Sequence, residues 1–170
     1  MAVGGVSNGY IFDVLKNKLK VKKFLDVFSA DTIPTRTLRA KEGDKVCIVN
    51  LSKLDEIGTH FITLHIRPKD IIIYDSLDLN LKIFSPTLWN HLRRGKKRLV
   101  NGIGRQLQPE DSQFCGFYCI YFTLLISEDQ FSNRKGLVRF KKNPVKKNDD
   151  IVMRNIKTLL LNNCDDSMDE

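Results

Sequence analysis

The chain has 170 residues, 42% hydrophobic and 28% charged, with a net charge of +8 and an isoelectric point near 9.4. That length suits one domain spanning residues 1–170, and that balance excludes a mostly disordered chain. The positive charge predicts attraction to polyanions or acidic partners and says nothing about fold.

The basic residues concentrate at 16–23 (KNKLKVKK), 93–98 (RRGKKR) and 141–147 (KKNPVKK). Such clusters make either a solubilising surface or one that meets nucleic acid or acidic peptide. No apolar run reaches the ~18 residues of a membrane span, and the start of the chain carries no signal-peptide core, so no membrane association is expected. The cysteines, Cys47, Cys115, Cys119 and Cys164, form no CxxC pair and no Cys/His grid. That argues against a metal centre and against a secreted disulfide framework, and for a reducing, intracellular compartment.

In chain order, 10–25 (YIFDVLKNKLKVKKFL) has apolar residues at helical spacing, Ile11, Val14, Leu15 and Leu19, with a basic outer face. Residues 28–37 (FSADTIPTRT) read as a loop, and 45–51 (KVCIVNL) as a strand rich in branched residues. Residues 59–66 (THFITLHI) alternate, and 71–77 (IIIYDSL) follow after RPKD, which predicts a hairpin. Residues 84–95 (FSPTLWNHLRRG) predict a helix with Ser85 as its cap, Pro86 at its first position and Gly95 at its end. Residues 98–107 read as an irregular strand. Residues 115–126 (CGFYCIYFTLLI) are apolar nearly all round, which predicts a buried central helix. Residues 148–163 predict a last amphipathic helix, capped by Asn148 and with Asp149 and Asp150 at its positive end. The expected class is α+β, a small mixed or antiparallel sheet flanked by helices.

The hairpin brings two chemically active side chains together. With a turn at Pro68–Lys69 and Arg67 opposite Asp70, Asp75 falls opposite Ile62 and diagonal to His60, on one face. A one-residue slip would separate them. A carboxylate beside an imidazole on an apolar face is costly to bury. It either makes a structural hydrogen bond or orients the ring and supports its charged form. His65 falls on the opposite face, as a surface or second-layer residue, while His91 and Trp89 fit structural and core roles.

Cys115 opens the apolar helix after a polar stretch. A helix N-terminus and a nearby imidazolium both lower a thiol's pKa, and the thiolate is the attacking species. Gly116 would leave room for a substrate backbone. The alternative is a small apolar core cysteine, which is the reading for Cys119 one turn further on. Cysteines at i and i+4 on a regular helix lack disulfide geometry, and no second nearby pair completes a metal site.

The ordered segments GTHFITL, IYDSL and LQPEDSQFCGFYC resemble the His … Asp/Glu … Gln … Cys-Gly pattern of the adenain-like clan of cysteine peptidases. That clan holds the adenovirus-type maturation proteases and the SUMO-specific proteases. The adenovirus type is the nearer likeness, since Gln108 lies seven residues before Cys115 and Phe114, not Asp, precedes the cysteine. Residues 24–34 and 46–61 are also similar to that type, so the resemblance covers roughly residues 24–125.

The resemblance implies a papain-like fold, with Cys115 as nucleophile, His60 as general base and acid, Asp75 as orienting carboxylate and Gln108 as oxyanion donor. Gln106 and Gln113 are nearby decoys. It further implies an endopeptidase that cleaves viral, or virus-like element, structural precursors at extended sites with small residues such as Gly. DNA is then an expected cofactor, with Arg93, Arg94, Lys96, Lys97 and Arg98 as its contacts, and a short activating peptide is another. The expected setting is the virion or host nucleus, and the expected state a monomer. Two other readings stand beside this one: a deSUMOylase or deubiquitinase-like isopeptidase, and a catalytically silent, basic nucleic-acid-binding protein. Three departures mark the chain. Phe61 stands where the family usually has Trp, Asp75 where adenovirus enzymes often have Glu, and RRGKKRLVNG lacks the cysteine that binds the activating peptide covalently.

Overall fold

In the run 59–77 the branched residues alternate on either side of a tight turn, and the chain folds there into the hairpin the pattern predicts. The fold is known from a computed structural model that describes residues 5–39, 41, 43–54, 59–128, 140 and 145–165. Strand β3 (Phe61–Ile66) pairs antiparallel with β4 (Asp70–Tyr74), in register from Ile66 opposite Ile71 to Thr63 opposite Tyr74. The Arg67 N–H donates to the Asp70 carbonyl at 2.9 Å, so the turn is Pro68–Lys69 as expected. Around this hairpin lie β1 (Phe24–Ser29), β2 (Lys45–Asn50) and β5 (Arg98–Asn101), giving a five-stranded sheet in the order β1-β2-β3-β4-β5. The three central strands are antiparallel and both outer pairings are parallel, so the chain is α+β with a mixed sheet.

All six residues of β3 are buried because helices cover both faces. On one face Val46, Ile48, Phe61 and Tyr74 join a cluster that includes α1 (Asn8–Phe12), α5 (Cys115–Ser127) and α6 (Lys147–Asp165). On the other, Cys47, Val49, Ile62 and Leu64 meet α2 (Thr35–Leu38), α3 (Leu81–Phe84) and α4 (Pro86–Arg93). The period-2 alternation of the strands is what divides the two clusters. α5 is buried at every position from 116 to 126, as its all-round apolar pattern predicts. The Cys119 carbonyl accepts from Thr63 Oγ1 at 3.3 Å, which fixes α5 along β3.

Four local expectations are corrected. The helix expected over 10–25 comprises α1 and a π-helical stretch, Asp13–Lys18, and ends where Lys20 takes a left-handed φ of 48°. Phe24 and Leu25 belong instead to β1. The segment 28–37, read as a loop, holds the end of β1 and the turn α2. In both places tertiary pairing overrides the local pattern, because buried β2 needs a backbone partner on its outer side. Ser85 precedes α4, and Pro86 opens it, but the Ser85 hydroxyl donates to the Leu51 carbonyl at 3.1 Å rather than capping. Gly95 follows the C-cap Arg94 at the end of α4, as expected, and the left-handed residue is the next one, Lys96, with φ of 56°. Gly95 is needed for close approach, since a Cβ there would meet Leu38 Cβ at 3.1 Å. Asn148 lies inside the first turn of α6, and its amide donates to the Leu107 carbonyl at 2.9 Å. Residues 141–144 of the third basic cluster fall outside the described residues. Among the described residues no helix is long and apolar enough to cross a membrane.

The two turn positions therefore respond oppositely to substitution. Gly95→Ala should destabilise the fold by about 1–3 kcal/mol through the Leu38 clash. Lys96→Gly should be neutral or stabilising by up to about 1 kcal/mol through relief of the left-handed backbone. Thermal or denaturant unfolding of both variants reads this out.

Candidate active site

His60 immediately precedes β3 and Asp75 immediately follows β4, so the register that pairs the strands carries both side chains to one end of the sheet. There His60 Nε2–H donates to Asp75 Oδ1 at 2.7 Å, with both residues buried. Asp75 Oδ1 also accepts from the Leu77 N–H at 2.9 Å, and Oδ2 from the Leu79 N–H at 3.0 Å. The carboxylate is thus fixed by donors on both oxygens. With Nε2 taken, Nδ1 is the ring nitrogen left for the side chain's other hydrogen-bond partner, the Cys115 thiol.

Cys115 is the first residue of α5. No acidic residue occupies the helix's first turn and its N-cap, Phe114, offers no capping side chain, so the positive end of the dipole is left to the thiol. Burial pushes the thiol up, but the hydrogen bond and charge of His60 and the N–H groups of Phe61 and Gly116 outweigh it. The result is a Cys115 pKa below the ordinary value. Burial likewise works against the imidazolium, yet the Asp75 and Cys115 hydrogen bonds raise His60 to about 9. A base raised to about 9 beside a lowered thiol favours transfer of the thiol proton to the imidazole. Cys47 and Cys119 lack this environment. Burial pushes Cys47 up to about 12 and Cys119 well up too, and both are free core thiols.

Gln108 is almost fully buried, at 1% exposure, and its amide is oriented from both ends. Its Nε2 donates to the Ser112 carbonyl at 2.7 Å, and its Oε1 accepts from the Ser76 hydroxyl at 2.6 Å. Because a carbonyl only accepts, the Ser112 bond defines which end is the nitrogen. That nitrogen carries a second hydrogen. Gln108 lines, with Cys115, His60, Leu77, Gly5 and Val6, a cleft of about 440 Å³. A negative oxygen developing there would meet the Gln108 amide and the unpaired N–H groups that begin α5.

The four residues expected to act together, Cys115, His60, Asp75 and Gln108, therefore sit at one place. The decoys have other duties: Gln106 Nε2 donates to the Gln108 carbonyl at 2.8 Å, and Gln113 Oε1 accepts from the Gly5 N–H at 3.2 Å. His65 lies away from the site, with its Nε2 3.3 Å from Asp44 Oδ2 and its pKa lowered by burial, and His91 Nε2–H is held by the Ile33 carbonyl. Trp89 is half-buried against the second cluster. Of the five basic residues in 93–98, Arg98 pairs with the buried Asp70 at 3.2 Å and Lys97 donates to the Arg67 carbonyl at 2.7 Å. Arg93, Arg94 and Lys96 are exposed. No group of metal-ligating side chains occurs among the described residues.

Two features escape the sequence. Ser76 binds Gln108 twice and Leu107 once, since its carbonyl also accepts from the Leu107 and Gln108 N–H groups at 2.8 and 2.9 Å. The only signal was its place directly after Asp75. The second is the cover over Gly116. The expected open space for substrate is filled by this chain, because a Cβ on Gly116 would lie 2.2 Å from Val6 Cγ2.

No protein-family model matches this chain, and no curated protein matches it in sequence. The geometry of the site thus carries the chemical part of the functional reading. It makes a direct chemical prediction. Near neutral pH an alkylating reagent should modify Cys115 at least about 10²-fold faster than Cys47 or Cys119, whose thiolate fractions are negligible. Peptide mapping after brief labelling measures the three rates together.

Proposed function

We propose that the protein is a cysteine peptidase of papain-like, adenain-like fold, working through a Cys115–His60–Asp75 triad. The observation that carries this reading is the hydrogen-bonded chain from Asp75 through His60 to a thiol of lowered pKa at a helix N-terminus. More particularly, it is an endopeptidase of the adenovirus maturation type, acting on structural precursor proteins of a virus or virus-like element. The resemblance of its ordered motifs supports that narrower assignment.

The chemistry follows from the roles. The Cys115 thiolate attacks the scissile carbonyl carbon, and the carbonyl π electrons move onto oxygen. The Gln108 amide and the Cys115 N–H hold that oxyanion. Collapse breaks the C–N bond while His60 gives its proton to the leaving amine, leaving a thioester. His60, now neutral, takes a proton from water as the hydroxide attacks the thioester. Release of the acid regenerates the thiolate–imidazolium pair. Asp75 holds the Nε2–H and so keeps Nδ1 aimed at the sulfur.

The competent state has a thiolate and an imidazolium, so activity rises with pH through the lowered thiol value and falls as His60 deprotonates near pH 9. Asp75→Asn removes the carboxylate that raises His60, so its alkaline limb should move to lower pH. Cleavage of extended peptides should be abolished in Cys115→Ala. In Gln108→Ala, kcat should fall by about 10²–10³ with little change in KM. Steady-state kinetics across pH tests all three variants. A chain that cleaves ubiquitin-like precursors but no extended peptide would instead be an isopeptidase.

DNA is proposed as a cofactor that holds the enzyme on its substrates' scaffold, with Arg93, Arg94 and Lys96 as the contacts, because these three are exposed while Lys97 and Arg98 are engaged with Arg67 and Asp70. Replacing all three by Ala should reduce the salt slope of DNA binding by about 2–3, measured by titration at several ionic strengths.

A further inference from the structure

The N-terminal segment runs along the cleft beside Cys115. The Gly5 N–H donates to Gln113 Oε1 at 3.2 Å, two residues before the thiol. Val6 Cγ2 closes over Gly116, one residue after it. The Gly5–Val6 peptide therefore spans the stretch 113–116 from the side, and both residues line the same cleft as Cys115 and His60. The segment is anchored beyond that point. Ser7 Oγ accepts from the Tyr10 N–H at 3.2 Å, Ile11 is fully buried, and the Tyr10 ring meets Phe117 edge-on at 6.1 Å. Held by Gly5 on one hand and from Ser7 onward on the other, it forms part of the wall of the cleft that His60 and Leu77 also line.

We propose that Gly5 and Val6 are a substrate-contacting wall, and that Val6 is a specificity-determining residue: its isopropyl group, set against Gly116, limits the size of the substrate side chain that lies next to the attacked carbonyl. This inference rests on the peptidase reading, but its geometry concerns access to Cys115 whatever the substrate. Gly116 fits the same account. Its missing side chain admits Val6 rather than the substrate, so one residue of the N-terminus and one of the buried helix together define the wall. A site of this kind discriminates by size, with about tenfold or more for each methylene-scale change in the space available.

The experiment compares the full-length chain with Val6→Ala and Val6→Leu. Cys115 is labelled with iodoacetamide and with its bulkier N-benzyl derivative, two reagents of one electrophile, and the ratio of the two rates is taken. In parallel, kcat/KM is measured for peptides that differ only in side-chain size next to the scissile bond. Val6→Ala should raise the bulky-to-small ratio in both assays by about tenfold, and Val6→Leu should lower it. A ratio that is the same in all three proteins, each melting cooperatively and each alkylated at Cys115, would overturn the proposal. If no peptide is cleaved but the alkylation ratio shifts as expected, the wall stands and the peptidase reading fails. If peptides are cleaved with flat ratios in both assays, the peptidase reading stands and the wall fails. Should Val6→Ala not fold, Val6→Leu decides on its own, by a lowered ratio or an unchanged one.

Discussion

The Asp75 carboxylate accepts one hydrogen bond from His60 Nε2 and two more from the N–H groups of Leu77 and Leu79. A buried imidazole left alone would lose its proton, because burial disfavours the charged form. Paired with a carboxylate that is itself held on both oxygens, the ring keeps its proton to about pH 9. The charged ring then draws down the Cys115 thiol. The acid–base balance between His60 and Cys115 leans on this one contact. The contact in turn depends on a two-residue turn, Pro68–Lys69, that fixes the register of β3 against β4. Slipped by one residue, the same sequence would place carboxylate and imidazole on opposite faces.

The sheet end is also where the loop carrying Gln108 is attached. Ser76 follows Asp75 and binds Leu107 and Gln108 through its carbonyl and the Gln108 side chain through its hydroxyl. From the other side, Asn148 donates to the Leu107 carbonyl, and Tyr118 donates to Asp149 at 2.9 Å. Segments 60–61, 75–76 and 107–115 are distant in sequence and rigidly connected in space. The buried side chains of His60, Asp75, Ser76 and Gln108 each have hydrogen-bond partners, as groups shut away from water require. Preorganisation of this kind is what oxyanion stabilisation needs, since donors that must rearrange at the moment of reaction lose their advantage.

How far the site could be read from the sequence depended on how local its causes are. The β3–β4 hairpin announced itself through alternation and a turn, and from its register the His60–Asp75 contact could be anticipated. The buried helix was equally plain, because 115–126 are apolar on every side. Gln108 and Cys115 came together only through their likeness to an ordered family pattern, since nothing local ties the loop to the thiol. What stayed hidden was tertiary. β1 carries a helix-like basic segment before it and becomes a strand because β2 needs a neighbour. Gly116 was expected to admit substrate, whereas it admits Val6, a contact across 110 residues that no periodicity encodes. Gly95 ends α4 as its place in the sequence suggested, but its contact with Leu38 is tertiary and has no local signal.

The ion pair between Cys115 and His60 is the centre of the account, and it can be observed without any substrate. The thiolate absorbs in the ultraviolet where the thiol does not, so the difference between wild type and Cys115→Ser, followed through a pH titration, reports the protonation of this sulfur alone. The account predicts a thiolate signal already present at neutral pH in the wild type and displaced toward the ordinary thiol range in His60→Ala. A signal that first appears near pH 8.5, the value of an unperturbed cysteine, and that is indifferent to His60 would contradict it.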